Sequence, residues 1–92
     1  MKKPQLLEII KNKQPSIFYF HADWCQKCKL IKPLLPKISE SKNMTLYEIE
    51  SNDENEEISN LFDVEYLPTL VVLTETGYKK YVGVLSINKL II

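Results

Sequence analysis

Residues 22–29 read Ala-Asp-Trp-Cys-Gln-Lys-Cys-Lys, and the rest of the chain can be placed around this stretch. It contains the only two cysteines, Cys25 and Cys28, spaced as Cys-x-x-Cys. A short aromatic and apolar run, residues 16–21, precedes the pair, and an amphipathic helical pattern follows it. A strand that delivers two thiols to the start of a helix suits thiol–disulfide exchange, because a helix N-terminus stabilises a thiolate.

The composition indicates one globular domain over residues 1–92. Twelve basic residues balance twelve acidic ones, so nothing favours nucleic acid or a membrane surface as a partner. No apolar run approaches the roughly 20 residues of a membrane span. The basic N-terminus is followed by a charged segment without a small-residue cleavage site, which predicts a cytoplasmic protein. In that compartment, one cysteine pair is more often redox-active than a structural staple.

Apolar periodicity predicts the element order α-β-α-β-α-β-β-α, with strands at residues 16–21, 44–49, 69–74 and 78–82. The first strand is apolar on both faces, which is typical of a central strand covered on both sides. The short turn at residues 75–77 makes the last two strands an antiparallel hairpin. The predicted fold class is therefore α/β, with a compact four-stranded mixed sheet flanked by helices.

The helix after the cysteines shows an apolar repeat and two prolines. Leu30, Leu34 and Ile38 repeat every four residues, and Ile31 with Leu35 widens the stripe, so we expect these residues on its inward face. Pro33 and Pro36 lie within this pattern, and an interior proline removes a hydrogen bond and kinks a helix. The pattern predicts a deliberate bend or a helix in two pieces.

Two further helix starts are predicted from capping residues. Asp53 with Glu56 can form a capping box at the third helix. Ser86 can cap a brief final helix. The apolar residues expected on the inward face of this last helix are Ile87, Leu90 and Ile91.

The two thiols are expected to have different jobs. Cys25 comes first, so we expect it to be exposed and to act as the thiolate. Cys28 lies one turn later, points inward and can attack a mixed disulfide at Cys25. Lys27 and Lys29 add positive charge that favours the thiolate modestly, because exposed charges are screened.

Two readings without redox chemistry compete with this one. A zinc site needs four ligands, and the chain offers one cysteine pair and one histidine, His21. The second alternative is a chance pair of cysteines in the core. The neighbouring Trp24 and the helix start argue against it.

These residues resemble the thioredoxin family over nearly the whole chain. The signature of residues 22–33 ends in Pro33, five residues past the second cysteine, as the family's kink proline does. Pro68, within Leu-Pro-Thr, matches the family's cis-proline facing the dithiol, and X–Pro bonds are the ones that adopt cis routinely. Gly83 matches the glycine beside the substrate groove. The resemblance implies that Trp24, Leu67, Pro68 and Gly83 form that groove.

The chain departs from the family pattern at three places. Gln-Lys replaces Gly-Pro between the cysteines, so the redox direction stays open. The family's buried acid falls on Tyr19, and its partnering lysine falls near Ile49. His21 shares the strand face of Tyr19, and the hypothesis is that His21 or Tyr19, with a water, replaces the acid. Glutaredoxins are similar in size, but their Pro-Tyr, Val and Gly-Gly signatures are missing here.

The resemblance implies a thiol–disulfide oxidoreductase of the protein disulfide reductase type, with Cys25 as nucleophile and Cys28 as resolving thiol. It further implies protein disulfides as substrates and a reductase or small thiol as regenerating partner. No flavin or metal is required, and a monomer is expected. The alternative is a non-catalytic redox-sensing or partner-binding module that uses the groove to hold one protein.

Overall fold

The structure is a computed structural model and describes residues 1–90. The helices are α1 (Lys3–Lys11), α2 (Gln26–Ile31), α3 (Leu35–Lys42), α4 (Glu56–Leu61) and α5 (Val84–Asn88). The strands are β1 (Ser16–His21), β2 (Thr45–Glu50), β3 (Thr69–Thr74) and β4 (Gly77–Val82). Single 3-10 turns, Lys32–Leu34 and Asp53–Asn55, precede α3 and α4. In this part of the chain, no helix is both long and apolar enough to cross a membrane.

The four strands form one mixed sheet in the order β2-β1-β3-β4. Strand β1 pairs parallel with β2 and antiparallel with β3, and β3 pairs antiparallel with β4. The four-stranded mixed sheet flanked by helices is as predicted. Since β3 runs antiparallel to β1, the start of β3 lies beside the end of β1. Both lie at the end of the strands where α2 begins.

Each face of the sheet covers its own core, because side chains alternate along β1. We call the side under α1 and α4 the aromatic face, made of Leu6, Phe18, Phe20, Ile49, Ile58, Phe62, Val71 and Leu73. We call the side under α2, α3 and α5 the dithiol face, made of Ile17, Tyr19, Ala22, Cys25, Cys28, Ile31, Leu35, Ile38, Leu70, Val72 and Ile87.

The predicted two-piece helix is confirmed, with the break in the 3-10 turn that contains Pro33. Pro36 lies in the first turn of α3, where a missing N–H costs nothing. The prediction for Leu30 is wrong, because its side chain is 66% exposed. Ile31 and Leu35 are buried as predicted, together with Cys28, and the spacing of these three residues by three and four positions matches the helical period more closely.

Both predicted caps are wrong in detail. The cap before α4 is Asn52, whose Oδ1 accepts from the Asn55 N–H at 3.0 Å, so the turn begins one residue before the predicted Asp53–Glu56 box. Ser86 lies within α5, which begins after Gly83. Ile87 is buried and Leu90 packs against the dithiol face, as predicted. Ile91 lies outside the described residues.

Strand β4 forms one edge of the sheet, and most of its side chains are exposed. Two lysines lie in its middle. Lys80 donates from Nζ to the Asp63 carbonyl oxygen at 2.8 Å, and Lys79 is exposed.

Candidate redox site

The two cysteines lie at the start of α2, directly after the end of β1. Cys25 is the N-cap residue of α2, and its N–H donates to the Ala22 carbonyl oxygen at 3.1 Å across the turn. The Cys28 N–H donates to Cys25 Sγ at 3.1 Å. The two residues form a disulfide with Cα atoms 5.3 Å apart. A sulfur that accepts a helix N-terminal N–H is placed where a thiolate is stabilised after reduction.

Cys25 is far less exposed than expected. Its exposed fraction is 5%, against 2% for Cys28, so both residues are buried in this disulfide form. The reason is that both belong to the dithiol-face core and the disulfide holds the first sulfur against the helix.

The loop that contains Pro68 lies at the same end of the sheet as the cysteines, because it leads into the start of β3. The Leu67–Pro68 peptide bond is cis, as the resemblance implied. Thr69, the next residue, pairs with Phe20 of β1 and Val82 of β4. The Gly83 N–H donates to the Pro68 carbonyl oxygen at 2.9 Å. This bond connects the end of β4 to the proline loop.

A pocket of about 280 Å³ lies beside Trp24, the residue before Cys25. Its lining consists of Trp24, Ser51, Val64, Glu65, Tyr66 and Leu67. Of the four predicted groove residues, Trp24, which is 75% exposed, and the half-buried Leu67 line this pocket, whereas Pro68 and Gly83 do not.

Tyr66 is a groove residue that the sequence analysis missed. It is 66% exposed, and its carbonyl oxygen accepts from Thr69 Oγ1 at 2.6 Å. The sequence signal for this role was the position of an aromatic residue two places before Pro68, the proline expected in the groove.

Tyr19 lies directly beneath the dithiol. Its hydroxyl donates to the Cys28 carbonyl oxygen at 2.5 Å, and its side chain is buried. Burial, followed by the negative charge of Glu48, raises the pKa of Tyr19 to about 12. Tyr19 is therefore neutral at physiological pH and acts as a hydrogen-bond donor to the backbone of α2.

His21 lies on the same face, and its ring stacks on that of Tyr19 with centroids 5.1 Å apart. A second pocket, of about 120 Å³, borders both rings and the inner cysteine. Its lining consists of Tyr19, His21, Ala22, Asp23, Cys28, Lys29 and Lys32. The structure thus brings both relay candidates and Lys29 to one pocket with Cys28, while Lys27 lies exposed elsewhere on α2.

No metal-binding group of three or more His, Cys, Asp or Glu side chains occurs among residues 1–90.

Comparisons with known proteins agree on one family. The family model described as Thioredoxin matches residues 2–91. The thioredoxin of Rickettsia bellii is 32% identical over 87 residues, which cover 91% of this chain and 82% of that protein. The crystal structure of thioredoxin from Trypanosoma brucei brucei gives a TM-score of 0.80 at 23% identity, covering 97% of this chain and 80% of that one.

A second solved structure is informative for its partner. Thioredoxin f2, solved in complex with ferredoxin:thioredoxin reductase, gives a TM-score of 0.76 at 21% identity, covering 90% of this chain and 79% of that one. At such identities the two solved structures show the fold, and they confirm the thioredoxin-like architecture.

Proposed function

The chain belongs to the thioredoxin family, and we propose that it reduces protein disulfides with Cys25 and Cys28. Membership in the family and the close cysteine pair support thiol–disulfide oxidoreductase chemistry in general. The observation that carries the finer proposal is the hydrogen bond from the Cys28 N–H to Cys25 Sγ at the start of α2. It gives the two sulfurs unequal surroundings, as a nucleophile and a resolving thiol require.

The proposed reaction starts from the reduced pair. The Cys25 thiolate attacks one sulfur of a substrate disulfide, and the other substrate sulfur leaves as a thiolate. Cys28 then attacks Cys25 Sγ of the resulting mixed disulfide. The Cys25–Cys28 bond forms, the second substrate sulfur is released, and two electrons have passed from the dithiol to the substrate.

The surface around Cys25 supports a protein substrate. Exposed Trp24 and Tyr66 offer two aromatic rings beside the half-buried Leu67. Proline has no N–H, so at Pro68 it leaves the backbone before it free to pair with an extended substrate segment. An extended peptide that carries its cystine over Cys25 would use both features.

Regeneration of the dithiol requires an electron donor. The thioredoxin f2 complex with ferredoxin:thioredoxin reductase supports a protein reductase as the class of donor, and a small thiol is the other proposed source. The chain's own cysteines carry the electrons, so no flavin or metal is assigned to it. The cytoplasmic location and the monomer stay predictions.

The test uses insulin disulfides and excess dithiothreitol. The wild-type chain is expected to accelerate insulin reduction well beyond dithiothreitol alone, and Cys25→Ser to abolish that acceleration. Cys28→Ser is expected to accumulate a mixed disulfide with the substrate, because nothing resolves it. Both variants remove one sulfur and the disulfide, so each is the other's control for folding.

The rival function makes the opposite forecast. A non-catalytic binding or sensing module would form the Cys25–Cys28 disulfide but leave insulin reduction at the rate of dithiothreitol alone. That result with a folded wild-type chain would overturn the proposed reductase.

A further inference from the structure

The resolving step proposed above needs a Cys28 thiolate in a poorly accessible place. Cys28 is 2% exposed, and its neighbours in the dithiol-face core are mostly apolar. Burial disfavours the charged form of a thiol, and the thiolate is the species that attacks a disulfide. A group close to Cys28 must therefore take up its proton during the step.

Tyr19 is a titratable side chain that forms a hydrogen bond with Cys28, but its hydroxyl already uses its proton in that bond. It donates to the Cys28 carbonyl oxygen, and that oxygen also accepts the Lys32 N–H of the helix ladder. With a pKa raised to about 12 by burial and then by Glu48, the phenol keeps its proton at neutral pH. Tyr19 is thus a positioning residue that holds the first turn of α2 on the sheet.

The remaining charged groups around the pocket are lysines and carboxylates. Lys29 and Lys32 face it from α2 and the following turn as cations, and Lys32 Nζ lies 3.9 Å from a Glu48 carboxylate oxygen. Asp23 borders the pocket from the loop, and Glu50 of β2 is the strand partner of His21. Asp23 is exposed on that loop, and a carboxylate is in general a weaker base than an imidazole.

An imidazole is the side chain whose ordinary titration range lies nearest neutral pH. We propose that His21 accepts the proton of Cys28 through water in the pocket that both residues line. The pocket of about 120 Å³ is large enough for water, whose share of liquid volume is about 30 Å³. Its polar lining, with the imidazole and the neighbouring lysines, provides the partners that such water needs.

The step balances as follows. The Cys28 thiol gives its proton to the bridging water, which passes one to a ring nitrogen of His21. The Cys28 thiolate attacks Cys25 Sγ, the Cys25–substrate bond breaks, and the substrate leaves as a thiolate. The imidazolium returns its proton through the same water to the leaving thiolate or to solvent.

The experiment separates this proposal from the proposed function on which it rests. Reduced protein is mixed with 5,5′-dithiobis(2-nitrobenzoate) in a stopped-flow instrument, and two releases of the coloured thiolate are followed from pH 6 to 9. The first release reports attack by Cys25, and the second reports resolution by Cys28. If the wild type gives no first release with Cys25 as the modified residue, the proposed function fails, whatever His21 does.

Two variants remove the base in different ways. His21→Gln keeps a polar side chain, and His21→Phe keeps an aromatic ring to stack on Tyr19. In both, the second release at pH 7 is expected to slow roughly tenfold or more. Its rate should then rise about tenfold per pH unit up to the ordinary thiol range near 8.5, whereas the wild-type rate changes less steeply.

Asp23→Asn is the matched control, because it removes the exposed carboxylate that borders the pocket and keeps the size of the side chain. It is expected to retain the wild-type profile of the second release. The proposal is overturned if either His21 variant keeps the wild-type profile, or if both slow the second release equally at every pH. The latter result would assign His21 a purely structural role.

Discussion

The two faces of the sheet share one central strand and do different work. On the aromatic face, Phe18 stacks on Tyr47 and contacts Phe62, with ring centroids 5.4 and 5.5 Å apart. On the dithiol face lies the next residue along β1, Tyr19. Its hydroxyl donates a hydrogen bond to the backbone of α2, and its ring stacks on that of His21. The buried core of the aromatic face consists of apolar side chains, while the dithiol face carries both sulfurs and a polar pocket.

The difference teaches that stability and reactivity can be supplied separately by a strand of six residues. Side chains of period two put Phe18 and Phe20 on one side and Tyr19 and His21 on the other. Substitutions on the aromatic face should therefore change the free energy of unfolding without changing the pH profile of the cysteines. The variants of Phe18, Asn52 and Lys27 test that separation, and Tyr19→Phe measures how much one hydrogen bond on the dithiol face adds to stability.

Phe18→Ala should have the largest effect on stability. It removes a fully buried ring from the aromatic face, and such truncations cost about 3–5 kcal/mol in unfolding free energy. Urea denaturation with linear extrapolation measures the loss. Since a small domain has little stability to spare, Phe18→Leu is the companion variant, with an expected loss of about 1 kcal/mol. A changed pH profile of the second thiolate release in Phe18→Leu would break the separation of the two faces.

Tyr19→Phe should cost about 1–2 kcal/mol, because a buried hydrogen bond to the Cys28 carbonyl oxygen is lost. The pH dependence has a definite sign. The folded pKa of about 12 lies above the model value of 10.0, so Tyr19 stabilises the fold fully below about pH 10. That contribution is lost as the pH rises from about 10 to 12. The stability difference between wild type and Tyr19→Phe should shrink over that window, and a constant difference would contradict it.

Asn52→Ala should cost about 1 kcal/mol, because the Asn52 side chain caps the turn before α4. This turn leads into the helix that covers the aromatic face, so thiolate release should be unaffected. Asp53→Ala is the matched comparison. If Asp53→Ala were the more damaging of the two, the assignment of Asn52 as the cap would be wrong.

Lys27→Gln should have the smallest effect and should act on the dithiol alone. Removing a positive charge near the start of α2 disfavours the Cys25 thiolate, so the reduction potential should fall. Because Lys27 is exposed and screened, the expected shift is about 10 mV or less. Equilibration with glutathione at low salt and at 1 M salt measures it, and the shift should vanish at high salt. Lys37→Gln on α3 should leave the potential unchanged.

Local signals in the sequence account for most of the fold. The apolar run of β1, the break at Pro33 and the hairpin turn are each set within a few residues, and all three are confirmed. Leu30 was misplaced because two apolar stripes overlap in one helix, and only the spacing of Cys28, Ile31 and Leu35 fits the sheet. Asn52 and Asp53 are both good caps, so composition alone does not choose between them.

The site was predictable where neighbours in the chain decide it. Placing Tyr19 and His21 on one face needed only the alternation of a strand, and the structure agrees. The burial of Cys25 and the donation from Tyr19 to the Cys28 carbonyl oxygen depend on how α2 packs on the sheet. Such packing joins residues that are far apart in sequence, and no local pattern encodes its distances.

The exposed edge of the sheet at β4 has a consequence for the protein in a crowded solution. An open strand presents unpaired amide and carbonyl groups, to which the strand of another molecule can add. Here an incoming strand would have to pass the charged side chains of Lys79 and Lys80, of which Lys80 is tied to Asp63. Dehydrating these ammonium groups is unfavourable, so the two lysines protect the chain against sheet-to-sheet aggregation at high concentration.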